Sequence, residues 1–585
     1  MAQNIFDERD IMFNVKECPG AAKLSEIERY EDFSVDDLEL IFEQTLQFCR
    51  DDLAPLNSSF DKEGTNLVGN TVKTPEGMKK IWEDYLEIGL AGTTGNPDYG
   101  GVGMPHLFAT PLSELEVGAC LSFSLIALLT REAANLIDSF GSVELKDRIL
   151  EKMFSGEWTG TMCLTEPQAG SDVGAATSKA IPNGDTYKIS GTKSFISWGD
   201  HDLSENIIHL FLARVPGAPH GSRGLSLFVV PKFKITDNGE CGESNDVVCS
   251  SVEHKMGIKA SSTCVLNFGE NDGCEGYIVG EENSGLKYMF QMMNAARNGV
   301  GLQGLAVASV AHQYALQYAR ERKQSALPGQ KESTEIINHP DVRFMLMKMK
   351  ALVQASRAIT YHSAYYEDLL HSPEEQEKAN ALFELLTPIS KSYGSDMGFK
   401  VTELAVQVYG GYGYCNDYPV EQLLRDVKIT SIYEGTNGIQ ALDLVFRKLL
   451  GSKGMTWKAL MGDILDLIEK TSGTDLADLG LKLKSAADTC TEVITHFGNQ
   501  AGQKQFRSIQ FHATQMLNAM GHLCGAFFLL KGAAIAQEKM ISDKDSFYGE
   551  KIDTTKFFFA YILPEAEAWF NAMLTEDGNL VKAPL

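Results

Sequence analysis

The chain has 585 residues, 44% hydrophobic and 22% charged, with a formal net charge of −26. Its length exceeds one core and suggests about three or four packed units at roughly 150 residues each. So acidic a field repels polyphosphates, which argues against nonspecific nucleic-acid binding and requires particular basic residues for any anionic ligand. No apolar run reaches the roughly 18 residues of a membrane span, so no integral membrane segment is expected. Eleven cysteines are scattered from Cys18 to Cys524 without a C-x-x-C pair or a zinc-finger spacing. Reduced thiols and no metal site are the expectation.

In chain order, Met1 to Asp10 carries Asp7, Glu8 and Asp10 and neither a basic n-region nor an apolar h-region, so no signal or transit peptide is read there. The C-terminal Lys582-Ala583-Pro584-Leu585 is no peroxisomal or ER address, and a cytoplasmic protein is expected. After an N-terminal extension, 1–34, apolar residues recur at helical spacing (Leu38, Ile41, Phe42, Leu46), with a break at Asn96-Pro97-Asp98-Tyr99-Gly100-Gly101; they predict a helical domain over 35–160. Short β-rich runs such as Ile207-Ile208-His209-Leu210-Phe211-Leu212 and Leu225-Ser226-Leu227-Phe228-Val229-Val230 predict a β domain over 161–280. Long helices return over 281–450, where Val342, Met345, Leu346, Met349 and Val353 share one apolar face. Ser372-Pro373-Glu374-Glu375 reads as N-cap, first-turn proline and capping-box Glu of the following helix. Gly451-Ser452-Lys453-Gly454 reads as a linker to a further helical unit over 455–585, whose last helix is expected to open at Asp553-Thr554. The fold class is mainly α with a central β domain.

Three stretches carry candidate chemistry. Cys163-Leu164-Thr165-Glu166-Pro167-Gln168-Ala169-Gly170-Ser171-Asp172 is a strand end running into a loop rich in N–H and hydroxyl donors, suited to an anion or a polarised ring edge. Gly191-Thr192-Lys193-Ser194-Phe195-Ile196-Ser197 then offers an aromatic and a hydroxyl two residues apart, where a flat cofactor can stack. Farther on, Gly410-Gly411-Tyr412-Gly413 leads through Arg425-Asp426 into Tyr433-Glu434-Gly435-Thr436. Burial among apolar neighbours would raise the Glu434 carboxyl from roughly 4.3 and make it a general base; a helix-capping Glu explains the same residues equally well.

Taken together, T-E-P-x-A-G-S-D, G-x-K-x-x-I-S, G-G-x-G and Y-E-G-T, in that order, resemble the acyl-CoA dehydrogenase family of FAD flavoproteins. The resemblance covers residues 35 to 450 and implies an N-terminal helical domain, a middle β-barrel or sandwich and a C-terminal four-helix bundle. The additional helical tail resembles a longer subfamily that includes 3-methylmercaptopropionyl-CoA dehydrogenases; the tail carries no catalytic motif and is expected to pack on the core or the partner subunit. By this resemblance Glu434 takes the α-proton of an acyl-CoA thioester while flavin N5 accepts the β-hydride, giving a 2,3-enoyl-CoA. The thioester carbonyl is polarised by a ribityl hydroxyl and the Glu434 N–H. Some relatives carry the base on an earlier helix, where this chain has Ala296 before Arg297.

The resemblance further implies that Leu164, Thr165, Phe195 and Ser197 line the flavin ring, with Gly170, Ser171 and Thr436 near the cofactor. Arg322, Gln407 and Gly411 would reach the FAD of a neighbouring subunit, making a homodimer or dimer of dimers functional. Ser171, Arg297, Tyr433 and Gly435 would meet the substrate. Four departures stand out. Ser325 to Gly329 stand after Gln324 where a Phe-Gly pair is frequent, Gly438 stands where a glutamine is frequent, so that a flavin contact is either lost or made by Asn437, an aromatic is common near Met162, and Phe195 stands where many relatives have Trp. Leu125, Leu128 and Leu129 are expected around an apolar or thioether acyl chain, with Arg131 a side candidate for a dicarboxylic one. An electron-transferring flavoprotein is the expected acceptor. An acyl-CoA oxidase and a non-catalytic flavoprotein of the same fold are the rival readings.

Overall fold

The computed structural model describes residues 5–575 and 580–584; Met1 and Leu585, which bound the two address readings, lie outside them. A short helix, α1 (Glu8–Lys16), comes first. It is followed by α2 (Val35–Phe48), whose start is a reciprocal cap: the Asp37 N–H donates to Ser34 Oγ and the Ser34 N–H to Asp37 Oδ2, both at 3.2 Å. Then come α3 (Asn57–Glu63), the hairpin β1–β2 (Asn66–Val68, Thr71–Lys73), α4 (Met78–Glu87), α5 (His106–Ala119), α6 (Leu121–Phe140) and α7 (Val143–Phe154). The hairpin interrupts the helical reading of this segment. Val72 is wholly buried in the core of the β domain, so a tertiary contact rather than local periodicity makes it.

The β domain comprises β3 (Trp158–Cys163), β4 (Lys179–Asn183), β5 (Thr186–Ser197), β6 (Asn206–Ala213), β7 (Ser226–Pro231), β8 (Phe233–Ile235), β9 (Cys241–Ser244), β10 (Val247–Val252), β11 (Thr263–Phe268) and β12 (Glu275–Val279). Its main sheet runs β10-β11-β5-β12-β7-β6-β3, with β4 on β5 and only the β3–β6 pair parallel among the described strands. Strands β6 and β7 are buried on both faces. Ile208, Leu210, Leu212, Leu227 and Val229 join the helical core, while Phe211, Ala213, Phe228 and Val230 fill the sheet's own core. Double burial explains why these strands read as unbroken apolar runs rather than alternating ones.

The helical domain contains α8 (Gly285–Glu321), α9 (Pro340–Asp368), α10 (Gln376–Tyr409), α11 (Pro419–Val427) and α12 (Asn437–Leu442). Helices α8 and α10 cross in backbone contact: a Cβ added at Gly304 would fall 2.2 Å from Gly394 O, and one at Gly394 would fall 2.2 Å from Gly301 O. Helix α10 does not begin on Ser372 as the capping box suggests. Residues 373–375 form a turn in which the N–H groups of Glu375 and Gln376 donate to Ser372 O (3.1 and 2.9 Å), and the helix starts at Gln376.

Residues 451–454 form a tight turn, with the Gly454 N–H donating to Leu449 O (2.9 Å) and that of Lys453 to Leu450 O (3.1 Å). Helices α13 (Met455–Thr471), α14 (Ala477–Gly502), α15 (Phe506–Lys539), α16 (Ser546–Tyr561) and α17 (Leu563–Thr575) follow. Asp545, not Asp553, opens α16 by accepting from the Phe547 N–H (3.0 Å). Thr554 lies inside that helix, its hydroxyl turned back to Glu550 O (2.8 Å), an accommodation open to Thr in a helix interior. Contrary to the sequence reading, α15 is long and apolar enough by composition to cross a membrane, but 89% of its most apolar window is buried inside the fold. It belongs to a continuous core shared with α5, α6, α8, α9 and α10.

Candidate active site

At the end of β3 the chain turns outward, and a buried ion pair fixes the turn. Glu166 accepts from the N–H groups of Thr177 (2.7 Å) and Ser178 (3.0 Å) and from Lys193 Nζ (3.0 Å). Wholly buried Lys193 also donates to the carbonyls of Leu164 (3.1 Å) and Leu212 (2.8 Å), with its ammonium 4.7 Å from the centre of the Phe211 ring. Burial pushes the Glu166 carboxyl up, but Lys193 and the donors of Ser178 and Thr177 outweigh it and hold the group at about 2. Neither residue is in the sequence-derived site, although both are letters of its motifs; they shape the loop.

The Ser194 N–H donates to Thr165 O (3.0 Å), which sets Leu164 and Thr165 against the segment bearing Phe195 and Ser197. Phe195 has φ +59° and is 65% exposed, at an irregularity where pairing with β11 shifts between Cys264 and Leu266. A bulky residue held left-handed with its ring in solvent fits a platform for a flat heteroaromatic group. Gly170 and Ser171 are exposed on the same loop. The β domain is docked toward the helical domain by the other charged motif: Asp426 accepts from the Ile258 N–H (2.5 Å), and Arg425 donates to Met256 O (3.0 Å) and Asp61 (2.8 Å).

Glu434 sits between a short 3₁₀ turn, Lys428–Ser431, and α12. The cap of α12 is Thr436, whose hydroxyl accepts from the Ile439 N–H (3.3 Å), so the capping explanation of Glu434 fails. Glu434 has φ +54°, a strained conformation, and among the described residues neither its carboxylate nor its N–H has a hydrogen-bond partner. Burial raises its pKa against the opposing pull of Arg297 and Lys391. Those two cations are themselves tied down. Arg297 Nη1 meets Asp443 (3.0 Å) and Asn294 (3.2 Å), and Lys391, drawn to about 7 by burial, donates to Asn437 Oδ1 (2.8 Å).

Asn437 also donates to Asp396 (2.7 Å) and Ser395 (3.0 Å), so its amide is bonded within the helical domain. Lys391 was missed in the sequence; a lone lysine within the small and apolar run Pro388-Ile389-Ser390-Lys391-Ser392 was the available signal. Tyr433 beside the base donates to Gln303 on α8.

Four family models match the chain in order: acyl-CoA dehydrogenase N-terminal domain over 36–157, middle domain over 161–270, C-terminal domain over 283–449, and acetyl-CoA dehydrogenase C-terminal like over 460–584. The chain belongs to the acyl-CoA dehydrogenase family. It is similar to a 3-methylmercaptopropionyl-CoA dehydrogenase of Ruegeria pomeroyi, 38% identical over 590 residues and 99% of each chain. A butyryl-CoA dehydrogenase of Syntrophomonas wolfei is 37% identical over 603 residues, 99% of this chain and 98% of the relative. In fold it resembles an acyl-CoA dehydrogenase of Bacillus anthracis solved with FAD, with TM-score 0.74 and 22% identity over 96% of this chain and 92% of that one.

Two cavities of this acyl-CoA dehydrogenase do not include Glu434 in their walls. Arg322, Gln324, Tyr318 and Gly411 line an open groove of about 410 Å³, and Gln407 stands exposed at the end of α10, its carbonyl accepting from the Gly410 N–H. The second is an interior cavity among α5, α6, α8 and α9. Leu128 reaches it, but Leu125 and Leu129 do not, and Glu116, Glu132, Glu367, Asn298 and Arg131 line it beside apolar Val117, Leu128 and Leu302. Arg131 donates to Thr93 Oγ1 (3.1 Å) and lies 3.9 Å from Glu132.

Proposed function

We propose that the protein oxidises an acyl-CoA thioester to a 2,3-enoyl-CoA with FAD, Glu434 acting as the base. The observation that carries this reading is a single residue offering an unbonded carboxylate of raised pKa and an unbonded backbone N–H. An α-carbon proton is acidic enough to transfer only when the neighbouring carbonyl oxygen is stabilised, and the N–H supplies one donor for it. The carboxylate takes the proton on Oε and becomes neutral, the form that burial favours. Arg297 and Lys391 oppose the rise that burial imposes on the Glu434 carboxyl and stabilise negative charge arising beside it. Ser171, Tyr433 and Gly435 contact the substrate in this reading.

FAD, when bound, supplies the acceptor for the β-hydride. Leu164, Thr165, Phe195 and Ser197 present a flat aromatic face with hydroxyls at its edge for the ring, and Thr436, Gly170 and Ser171 complete its surroundings. The groove at Arg322 and Gly411 is open and Gln407 is exposed, as contacts to the FAD of a second copy require, so we propose a homodimer with an electron-transferring flavoprotein as its oxidant. The test is Glu434→Gln: it keeps bound FAD but loses flavin bleaching by acyl-CoA by roughly three orders of magnitude or more. Bleaching at the wild-type rate overturns the assignment.

A further inference from the structure

Lys391 is wholly buried, and the one hydrogen-bond acceptor of its ammonium among the described residues is neutral, Asn437 Oδ1 (2.8 Å). Burial draws a cation so placed to about 7, where it is poised between charged and neutral. Asn437 Nδ2 in turn donates to Asp396 Oδ1 (2.7 Å) and Ser395 Oγ (3.0 Å). An ammonium on one side and a carboxylate on the other leave the amide a single orientation, oxygen to Lys391 and nitrogen to Asp396, so the two charges polarise one hydrogen-bonded chain. Its inner end is at the base, since Asn437 opens α12 just beyond Glu434 and Lys391 pulls on the Glu434 carboxyl. Its outer end is half-buried Asp396, which lines a cleft of about 490 Å³ between α9 and α10 on one side and the tail helices α15 and α17 on the other.

We propose that Asp396 is a positioning residue for the dehydrogenation: its charge, acting through Asn437, keeps Lys391 a cation beside Glu434. The assignment rests on the dehydrogenase reading above. Other charges nearby are accounted for. Arg297, from α8, faces both Lys391 and Glu434 and is paired with Asp443 (3.0 Å), while Lys428, in the turn before Glu434, acts on Asp396 and donates to Ser431 (3.1 Å). Burial pushes the Tyr433 hydroxyl up, so it stays neutral. Across the cleft Lys348 meets Glu565 (3.1 Å), Lys400 meets Glu403 (2.8 Å), and burial draws His522 to about 4. Asp396 raises the proton affinity of Lys391, as Glu434 does, while Arg297 opposes it. Protonated Lys391 then pulls Glu434 down against burial. Without the Asp396 charge, Lys391 gives up its proton at lower pH and Glu434 is left with Arg297 as its cation.

The test is Asp396→Asn in the FAD-loaded protein, since an amide there still accepts from Asn437 Nδ2 but carries no charge. Anaerobic flavin bleaching is followed across pH with straight-chain acyl-CoAs from butyryl to palmitoyl and with 3-methylmercaptopropionyl-CoA. The acid limb of kcat/KM is expected to move to higher pH, leaving the variant about threefold to tenfold slower than wild type on that limb and equal to it on the alkaline plateau. Lys391→Met is expected to move the limb the same way, and Asp396→Asn added to it to change nothing further. Urea unfolding supplies a readout apart from activity. Lys391 is held below its ordinary value in the fold, so the unfolded chain binds more protons above about 7 and stability rises with pH there through this group. In Asp396→Asn that rise is expected to begin at lower pH, and the shift to be absent when Lys391 is Met. A limb that stays in place overturns the proposal, and so does a loss of rate by the same factor at every pH, the mark of a merely structural role. An Asp396→Asn effect undiminished in Lys391→Met overturns it too. Wild-type protein bleached by none of the acyl-CoAs overturns the dehydrogenase reading instead, while the urea profiles alone decide the link between Asp396 and Lys391.

Discussion

Replacing Lys193 by Met removes the cation under the flavin-side loop while keeping most of the side-chain volume. Three hydrogen bonds go with it, to Glu166, Leu164 O and Leu212 O, together with the contact over Phe211. Breaking one side of a buried pair costs about 3–5 kcal/mol because the remaining charge is stranded. The lower end applies here, about 3 kcal/mol, because Glu166 keeps the Thr177 and Ser178 N–H donors, the Thr177 hydroxyl (2.9 Å) and Gln168 (2.8 Å). Lys193 is itself drawn below its ordinary value by burial, which trims the pair's net worth further. Differential scanning with the FAD-loaded protein is expected to show Tm lower by of order 5 °C, and the ratio of flavin to protein absorbance should fall as Leu164 and Thr165 lose their support.

Glu166→Gln added to Lys193→Met should restore part of the loss, since no charge is then stranded. Because Glu166 is held at about 2 in the fold, below its ordinary value, its contribution is fully present above that ordinary value and is lost as pH falls toward about 2. Lys193→Met should therefore flatten the acid limb of the stability profile. A variant with wild-type Tm and full flavin content would refute the reasoning, and so would a double variant less stable than the single one.

Since burial raises the Glu434 carboxyl, kcat/KM should rise with pH through a point above the ordinary carboxylate range; stopped-flow bleaching across pH checks it, and a profile flat down to acid pH contradicts it. Gly304→Ala places a Cβ 2.2 Å from Gly394 O, so α8 and α10 must part, at a cost of about 2–3 kcal/mol by urea unfolding, whereas Gly462→Ala, with open space around it, should cost nothing measurable. The tail should prove inseparable from the catalytic domains. Lys551 on α16 donates to Asp10 (2.7 Å), which also meets Arg357, and Arg357 meets Glu114, all four buried. Lys551→Met is expected to destabilise the whole chain by about 3 kcal/mol in one cooperative transition, and truncation at residue 454 to give insoluble protein rather than an active enzyme of altered assembly. A separate early transition for the tail would contradict this.

The sequence by itself determined the fold class, the order of units and the four motif runs, because helical and strand periodicities and glycine-framed turns are local properties of the chain. It placed Glu434 in an apolar setting but left a cap and a base equally open. Only the tertiary structure removed the cap reading, by giving the cap to Thr436, and it brought Arg297 and Lys391, far apart in sequence, near enough to act on the carboxyl. The same holds for pairs whose partners lie on different elements. Glu166 and Lys193 read as two motif letters until packing joined them. Local errors had local causes: Asp553-Thr554 and Ser372-Pro373 are capping residue types, but neighbouring Asp545 and a preceding turn took the role. The lining of the cavity among α5, α6, α8 and α9 was beyond sequence reading altogether, since a helical pattern shows which face is buried without showing what that face meets.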